Sequence, residues 1–442
     1  MKRPLILALL LTLSIGVGSL SAQDDARPYD GTELNLIYFE QPYFAGLREL
    51  LPEFTEQTGI TVEIETLAEV PAIQKIQLEL AGQTGNYDII GTSSANLPLY
   101  AQNGWLTPVQ TFIDDPALSN PDVLNLDDFI PSTRDALAQD GTQYCLPYFA
   151  ATVIMYYRMD VFEEYGITEP PATFDELREV AATINTPEIP AIAMRGNPGA
   201  AGNVWHWNLF LRGEGGSFFA DFPTDLTPTL DSPEAIAATT AFMDLKQNYS
   251  PEGAANFTFD DVVIAMQQGR VAIAIEGAPL AGRILDPEQS QVVDKVGFAV
   301  VPGGAAGRFP PFVSHGLCIA TDSENAEAAY LFLEWATSAD VFKRVALNTA
   351  HVAVTRNSVW EDADFIAKYD FDYGGGSFLA AFQESLNLAP FDYYPAFPAW
   401  TQIGDIIGLA LQEIEIGSKT VEQGLTDAND AIRQLLEDEG LL

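Results

Sequence analysis

Between Glu33 and Gln102 the chain alternates short β-rich runs with helical ones. "ELNLIYF" (Glu33–Phe39) is a buried-strand pattern, and "PYFAGLRELLPEFTEQTG" follows with apolar residues at helical spacing and a stop at Gly59. "ITVEIET" gives a second strand, "VPAIQKIQLELAGQTG" a second helix, "YDIIG" a third strand, and "LPLYAQNGWL" a short third helix. Such repeats build a parallel sheet, because parallel neighbours need a crossover and cannot be joined by a tight turn. Ligands of these sheets bind beyond the C-terminal ends of the strands. Strands one and three end in "FEQPY" and "GTSSAN", polar runs that lead straight into helices. Plain helix capping suits each run by itself. Two of them at equivalent strand ends point to one cleft edge.

A second α/β region follows. "YCLPYFAATVIMYYRMD" (Tyr144–Asp160) is an apolar β-rich run long enough to pass from one lobe into another. "PPATFDELREVAATI" carries a capping box at Thr173 and Glu176, and a later helix opens on Ser232 and Pro233. "IPAIAMRG", "RVAIAIEG", "VGFAVVPGG" and "GLCIA" are strand patterns, and a C-terminal helix opens on the capping box Thr420 and Gln423. No long linker separates the two regions. That favours two lobes joined by chain crossings over two independent domains.

Residues 1–22 have the layout of a secretory signal: Lys2 and Arg3, an apolar run from Leu5 to Leu20, and small residues near Ala22. No cysteine stands directly after that run, so no lipid anchor is expected, and the mature chain is expected to be exported to the periplasm. Net charge is −41, with 62 acidic and 21 basic residues. Such a field repels nucleic acid and anionic lipid. Catalytic signatures are missing: "VSHGL" lacks the first glycine of a nucleophile elbow, and no Gly-rich turn carries a lysine. The three histidines, His206, His315 and His351, lack metal-ligand spacing. "DFDYGG" has Gly374 at the fifth position and Ala381 where a calcium loop needs glutamate. No metal and no cofactor are expected. A carboxylate-pair hydrolase stays open on composition alone.

"YDIIGTSSANLPLYAQNGWLTPV", "LPYFAATVIMYYRMDVFEEYGI", "AMRG", "LDSPEA", "VDKVGFAVVPGG", "NAEAAYLFLEWATS" and "FPAWTQIG" together resemble the extracellular solute-binding proteins of carbohydrate ABC importers. The sorbitol/mannitol-binding branch is the most similar part of that family. The resemblance implies an α/β, type II periplasmic-binding-protein-like fold, with a ligand cleft between two hinged lobes and no catalysis. It implies lobe one from residues 30–147 plus about 318–370, and lobe two from 148–317 plus about 371–442. It also implies a small carbohydrate ligand, membrane permease subunits, an ATPase acting indirectly, and a monomer. A same-fold sensor feeding a receptor is equally compatible.

Carried over by position, Glu40, Gln41, Thr92, Ser93 and Ser94 would line the first lobe. Tyr148, Arg195, Trp205, His206, Glu276 and Gly277 would line the second, with His315, Arg356 and Trp400 as further candidates. A polyol suits such a set: charged partners take its hydroxyls and an aromatic face takes its C–H groups. In this layout "YCLPY" and "GLCIA" are hinge strands, so Cys145 and Cys318 would be close enough to form a disulfide.

One stretch divides on helical geometry. In "AMRGNPGAAGNVWHWNLF" Asn203 is expected as an N-cap, which puts Trp205 and His206 in the first turn facing the cleft mouth. Trp205 and Trp207 then lie roughly 200° apart around the helix. Trp205 is expected against the ligand and Trp207 inside the lobe.

Overall fold

A computed structural model of the protein describes residues 27–442 apart from Pro398. The expected signal segment, residues 1–22, lies outside the described residues. The parallel unit forms as the pattern requires. Strands β1 (Glu33–Phe39), β2 (Thr61–Leu67) and β3 (Ile89–Ser93) are joined by crossover helices, α1 (Pro42–Thr58) and α2 (Glu69–Gly82). Both β2 and β3 pair with β1 in parallel. Apolar residues of β1 and of one face of α1, including Leu36, Ile37, Phe44, Leu47 and Phe54, are buried. Helix α1 ends because Gly59 adopts a left-handed φ of 78°, and its amide donates to the Thr55 carbonyl.

The long apolar run is a single 14-residue strand, β4 (Cys145–Arg158). The other strands of the second region are short: β5 (Ile192–Ala193), β6 (Ile273–Gly277) and β7 (Val296–Val300). Strand β8 (Phe312–Ala320) returns to the first lobe, where it pairs antiparallel with β3. The hydrogen-bonded path runs β2–β1–β3–β8–β4–β6–β5, with β7 also on β4. Strand β4 is thus shared by two lobes. It pairs with β8 as far as Thr152, and with β6 from Val153 onward.

The expected changes of lobe at 147/148 and 317/318 both fall within paired strand. The pairing instead changes partner at Thr152/Val153, and β8 lies on first-lobe strands from its first residue, Phe312. Strand β8 extends on the N-terminal side of "GLCIA" to Phe312, although Ser314 and His315 do not look like strand core. Both are satisfied by distant partners. Ser314 Oγ donates to the Thr133 carbonyl at 2.8 Å, and His315 Nδ1 lies 2.8 Å from the Tyr38 hydroxyl.

In the second lobe, helices α3 (Asn203–Gly213), α4 (Pro233–Tyr249), α5 (Trp400–Glu415) and α6 (Val421–Asp438) pack on one another. The capping boxes at Thr173 and Thr420 form, and Ser232 caps α4 through the Ala235 amide. Asn203 is not the cap it was expected to be. Gly202 takes that place, and the Asn203 side-chain Nδ2 donates to the Gly408 carbonyl at 2.8 Å. Cys145 and Cys318, facing each other across β4 and β8, are joined by a disulfide. No helix among the described residues is long and apolar enough to cross a membrane.

Candidate functional site

Because β1, β2 and β3 are parallel, the residues after their C-terminal ends share one edge of the first lobe. Gln41, at the start of α1, is buried, and its Oε1 has no hydrogen-bond partner. Thr92, at the end of β3, is buried with its Oγ1 equally unpartnered. Ser93 lies beside it, nearly buried. Ser94 is tied to β8 by its amide, 2.8 Å from the Ser314 carbonyl, and its Oγ accepts the Ser314 amide at 3.3 Å. Glu40 is occupied locally: it pairs with Arg48 at 3.2 Å and accepts the Thr66 hydroxyl.

Glu69 opens α2 beyond the end of β2 and was missed at the sequence level, where it looks like an ordinary first-turn acid. Its side chain makes no hydrogen bond or ion pair among the described residues. Desolvation raises its carboxyl above the usual range although the residue stays open to solvent, and the Arg195 charge on the other lobe pulls it back down. The acid therefore looks across the cleft.

Arg195 leaves the C-terminal end of β5. Its Nε and Nη2 grip both oxygens of Glu276 at 2.9 and 2.5 Å, and Nη1 donates to the Ala201 carbonyl at 2.8 Å. A guanidinium carries five N–H groups, so two remain for another acceptor. Glu276 is wholly buried and also accepts the Gly277 amide at 2.7 Å. Burial pushes its carboxyl up, but the Arg195 charge and hydrogen bonds outweigh that and hold it below the usual range.

Two indoles stand against the Tyr394 ring, Trp400 at 4.7 Å and Trp205 at 5.9 Å. Both are nearly buried, and neither Nε1 has a hydrogen-bond partner. Tyr394 itself donates to the Ala200 carbonyl, and the positive charge of Arg195 reaches its hydroxyl. The "DYYP" stretch that carries it gives no sequence signal beyond aromatic content. Trp207 faces the opposite way, fully buried, with its Nε1 donating to Thr239 Oγ1 at 2.8 Å.

Two carried-over candidates, Tyr148 and His206, stand elsewhere than expected, and two further ones, His315 and Arg356, are tied into the fold. Tyr148 belongs to the first lobe, not the second. It is fully buried among Tyr38, Tyr43 and Phe44, at ring distances of 6.3, 4.7 and 5.3 Å. The reason is that β4 changes lobe after residue 152, beyond this position. His206 does not face the cleft mouth. It is wholly buried, Nε2 donates to the Ile275 carbonyl at 2.9 Å, and burial lowers its pKa to about 4, so the ring is neutral. His315 is held at the lobe crossing between Phe39 and Phe149 with its pKa lowered by burial to about 3.

Arg356 is a structural clamp. Its guanidinium donates to the carbonyls of Thr337, Asn125 and Leu124, reaches Asp128 at 3.3 Å and lies 3.9 Å over the Phe129 ring. Four of its five N–H groups are thus used, and its side chain has no exposed surface.

Two open grooves of about 800 and 550 Å³ lie away from all these residues. The first runs between Phe174, Arg178, Asp244 and Gly303, the second between Glu63, Lys75 and Tyr87. In the second, the polar groups are already paired through Lys75, Glu65 and Tyr87. Among the described residues no group of three or more His, Cys, Asp or Glu could hold a metal ion.

Residues 40–341 match the family model described as bacterial extracellular solute-binding protein. The chain belongs to that family. A mannitol-binding protein of Pseudomonas aeruginosa is 30% identical to this solute-binding protein over 279 residues, 62% of this chain and 61% of that relative. The match thus spans about three fifths of that relative's length. An erythritol/L-threitol-binding protein of Mycolicibacterium smegmatis is 22% identical over 78% of this chain and 75% of its own. Among solved structures, an ABC transporter solute-binding protein of Agrobacterium vitis S4 with bound D-mannitol gives a TM-score of 0.78 at 27% identity, covering 92% of this chain and 99% of that one. One from Agrobacterium radiobacter K84 in complex with ribitol gives 0.80 at 26% identity, with the same coverage. The two-lobe fold of this solute-binding protein is therefore that of its family.

Proposed function

We propose that this chain is the exported binding component of an ABC importer and closes its two lobes on an uncharged polyol or sugar. One observation carries the reading: the two walls offer complementary hydrogen-bonding groups that the fold leaves unpaired. The second lobe offers donors, namely the indole N–H groups of Trp205 and Trp400 and the spare N–H groups of Arg195. The first lobe offers the Gln41 carbonyl oxygen, the Thr92 hydroxyl and the free Glu69 carboxylate. A hydroxyl donates and accepts at once, so a polyhydroxylated chain satisfies both walls. Arg195 is already neutralised by Glu276, which leaves Glu69 as the unbalanced charge and disfavours an anionic solute. The polyol names of the relatives support the same class.

In this reading Glu40, Ser93, Ser94 and Gly277 frame the walls, and His315 marks the hinge. Residues 30–152 with 312–370 make the first lobe, and 153–311 with 371–442 the second. The protein works as a monomer in the periplasm and hands its solute to the permease subunits, with the ATPase acting through them. A thermal-shift panel of D-mannitol, ribitol, erythritol, D-glucose and maltose tests it. Saturation at ~100 times Kd adds about 2.7 kcal/mol of stability. A panel in which no compound raises the melting temperature overturns the proposal.

A further inference from the structure

The second lobe buries one lysine that the proposed ligand walls do not use. Lys246, on α4, has no exposed side-chain surface. Its ammonium donates to the carbonyls of Met194, Arg195 and Ala254 at 3.2, 3.3 and 3.2 Å and lies 3.3 Å from Glu415 Oε1. Bringing an ion pair this deep carries a heavy desolvation penalty, and stability alone would be served as well by apolar side chains.

Its surroundings give it another use. Strand β5 is two residues long and its pairing with β6 stops at Ala193. The next two carbonyls, of Met194 and Arg195, therefore have no ladder partner, and Lys246 takes both. The loop beyond lies directly on residues 254–257. The amides of Gly196 and Asn197 donate to the Phe257 carbonyl at 2.8 and 3.1 Å. A Cβ on Gly196 would run into the Ala254 carbonyl oxygen, which is the third acceptor of Lys246.

On its other side the ammonium meets Glu415, the last residue of α5, the helix that opens with Trp400. Gln247, next to Lys246, donates to the Ile414 and Glu415 carbonyls at 2.9 and 3.2 Å. One buried ion pair thus connects the strand end bearing Arg195 to the helix bearing Trp400.

We propose that Lys246 is a positioning residue for solute binding: it fixes the backbone from which Arg195 projects and, through Glu415, the helix that presents Trp400. The inference rests on the cleft being the binding site. It is tested by a double-mutant cycle on Kd, measured calorimetrically with D-mannitol and ribitol as probes, for wild type, K246M, K246R, R195M and K246M/R195M. K246M is expected to weaken binding about tenfold or more, and K246R to recover most of the loss. In the R195M background the fold-loss from K246M should shrink by about threefold or more, because its effect through Arg195 is gone and only the effect through Trp400 remains. Wild-type affinity in K246M overturns the proposal, and so does the same fold-loss in both backgrounds, which is what general loosening would give.

Should K246M fail to fold, E415Q, which breaks the same ion pair, replaces it in the cycle. Amide exchange separates the two readings. If wild type binds neither probe, the polyol reading falls, while faster exchange at Gly196 and Asn197 in the Lys246 variant, with the first lobe unchanged, still upholds the anchoring. Unchanged exchange at those amides overturns it.

Discussion

Lowering the pH from 7 to 5 should remove a large part of this protein's stability through its three histidines. All three rings are buried. Burial lowers the pKa of His206 to about 4, and those of His315 and His351 to about 3, from an ordinary 6.5. The neutral rings are held by specific neighbours: the Ile275 carbonyl for His206, the Tyr38 hydroxyl for His315, and the rings of Tyr43 and Phe342 at 5.2 and 6.1 Å for His351.

A histidine with a depressed folded pKa takes its proton in the unfolded chain first. Its stabilising effect is therefore complete above pH 6.5 and falls away as pH drops towards the folded value. Each such proton contributes about 1.4 kcal/mol per pH unit, so three approach a slope of about 4 kcal/mol per pH unit below pH 6. Between pH 7 and 5 the loss comes to about 6 kcal/mol, comparable to the whole stability of many domains. Glu334 and Glu415, whose carboxyls burial raises, take protons in the folded state and moderate the slope at its acid end. Urea unfolding at half-unit pH steps reads the slope, and the imidazole carbon-bound protons in NMR read each folded pKa directly. A folded-state imidazole titrating near pH 6.5, or equal stability at pH 7 and pH 5, would show that the buried rings do not set this pH dependence.

Replacing Trp207 by alanine should cost about 3–5 kcal/mol of stability with solute affinity unchanged, whereas Trp205→Ala should lose both stability and affinity. Parallel melting and calorimetric titration distinguish them, and equal affinity losses would contradict the split. R356M should destabilise the first lobe by about 3–5 kcal/mol, because Asp128 and three carbonyls lose a buried partner, yet bind solute as wild type does. A selective loss of affinity would return Arg356 to the site. The disulfide closes a loop of 173 residues, for which chain entropy gives about 5 kcal/mol. Reductant should therefore lower the melting temperature of the wild type, and C145S/C318S should melt low with or without it.

What could be read from the sequence was local. The β/α alternation before Gln102 shows because strands buried on both faces are continuous apolar runs and their helices carry clear stops. The long strand β4 shows because few structures accept so long a β-branched and aromatic run. The division of Trp205 from Trp207 needed only the helical angle. The misreadings concern partners far along the chain. Arg356 looks like a free cation until Leu124, Asn125 and Asp128 are brought to it across about 230 residues. Tyr148 was assigned to the wrong wall because the residue at which β4 changes lobe is set by pairing with β8 and β6, not by its own composition. Glu69 was overlooked because an acid in a first helical turn is usually explained by the helix dipole. Only the placement of Arg195 across the cleft gives it another meaning.

In the proposed function, solute is held between the donor wall of one lobe and the acceptor wall of the other. The most direct test is a crystal structure of the protein grown with D-mannitol. One polyol is expected in the cleft, with hydroxyl oxygens within hydrogen-bond distance of Arg195 and an indole N–H, and other hydroxyls donating to Gln41 or Glu69. A polyol bound elsewhere, or one touching only a single lobe, would contradict it.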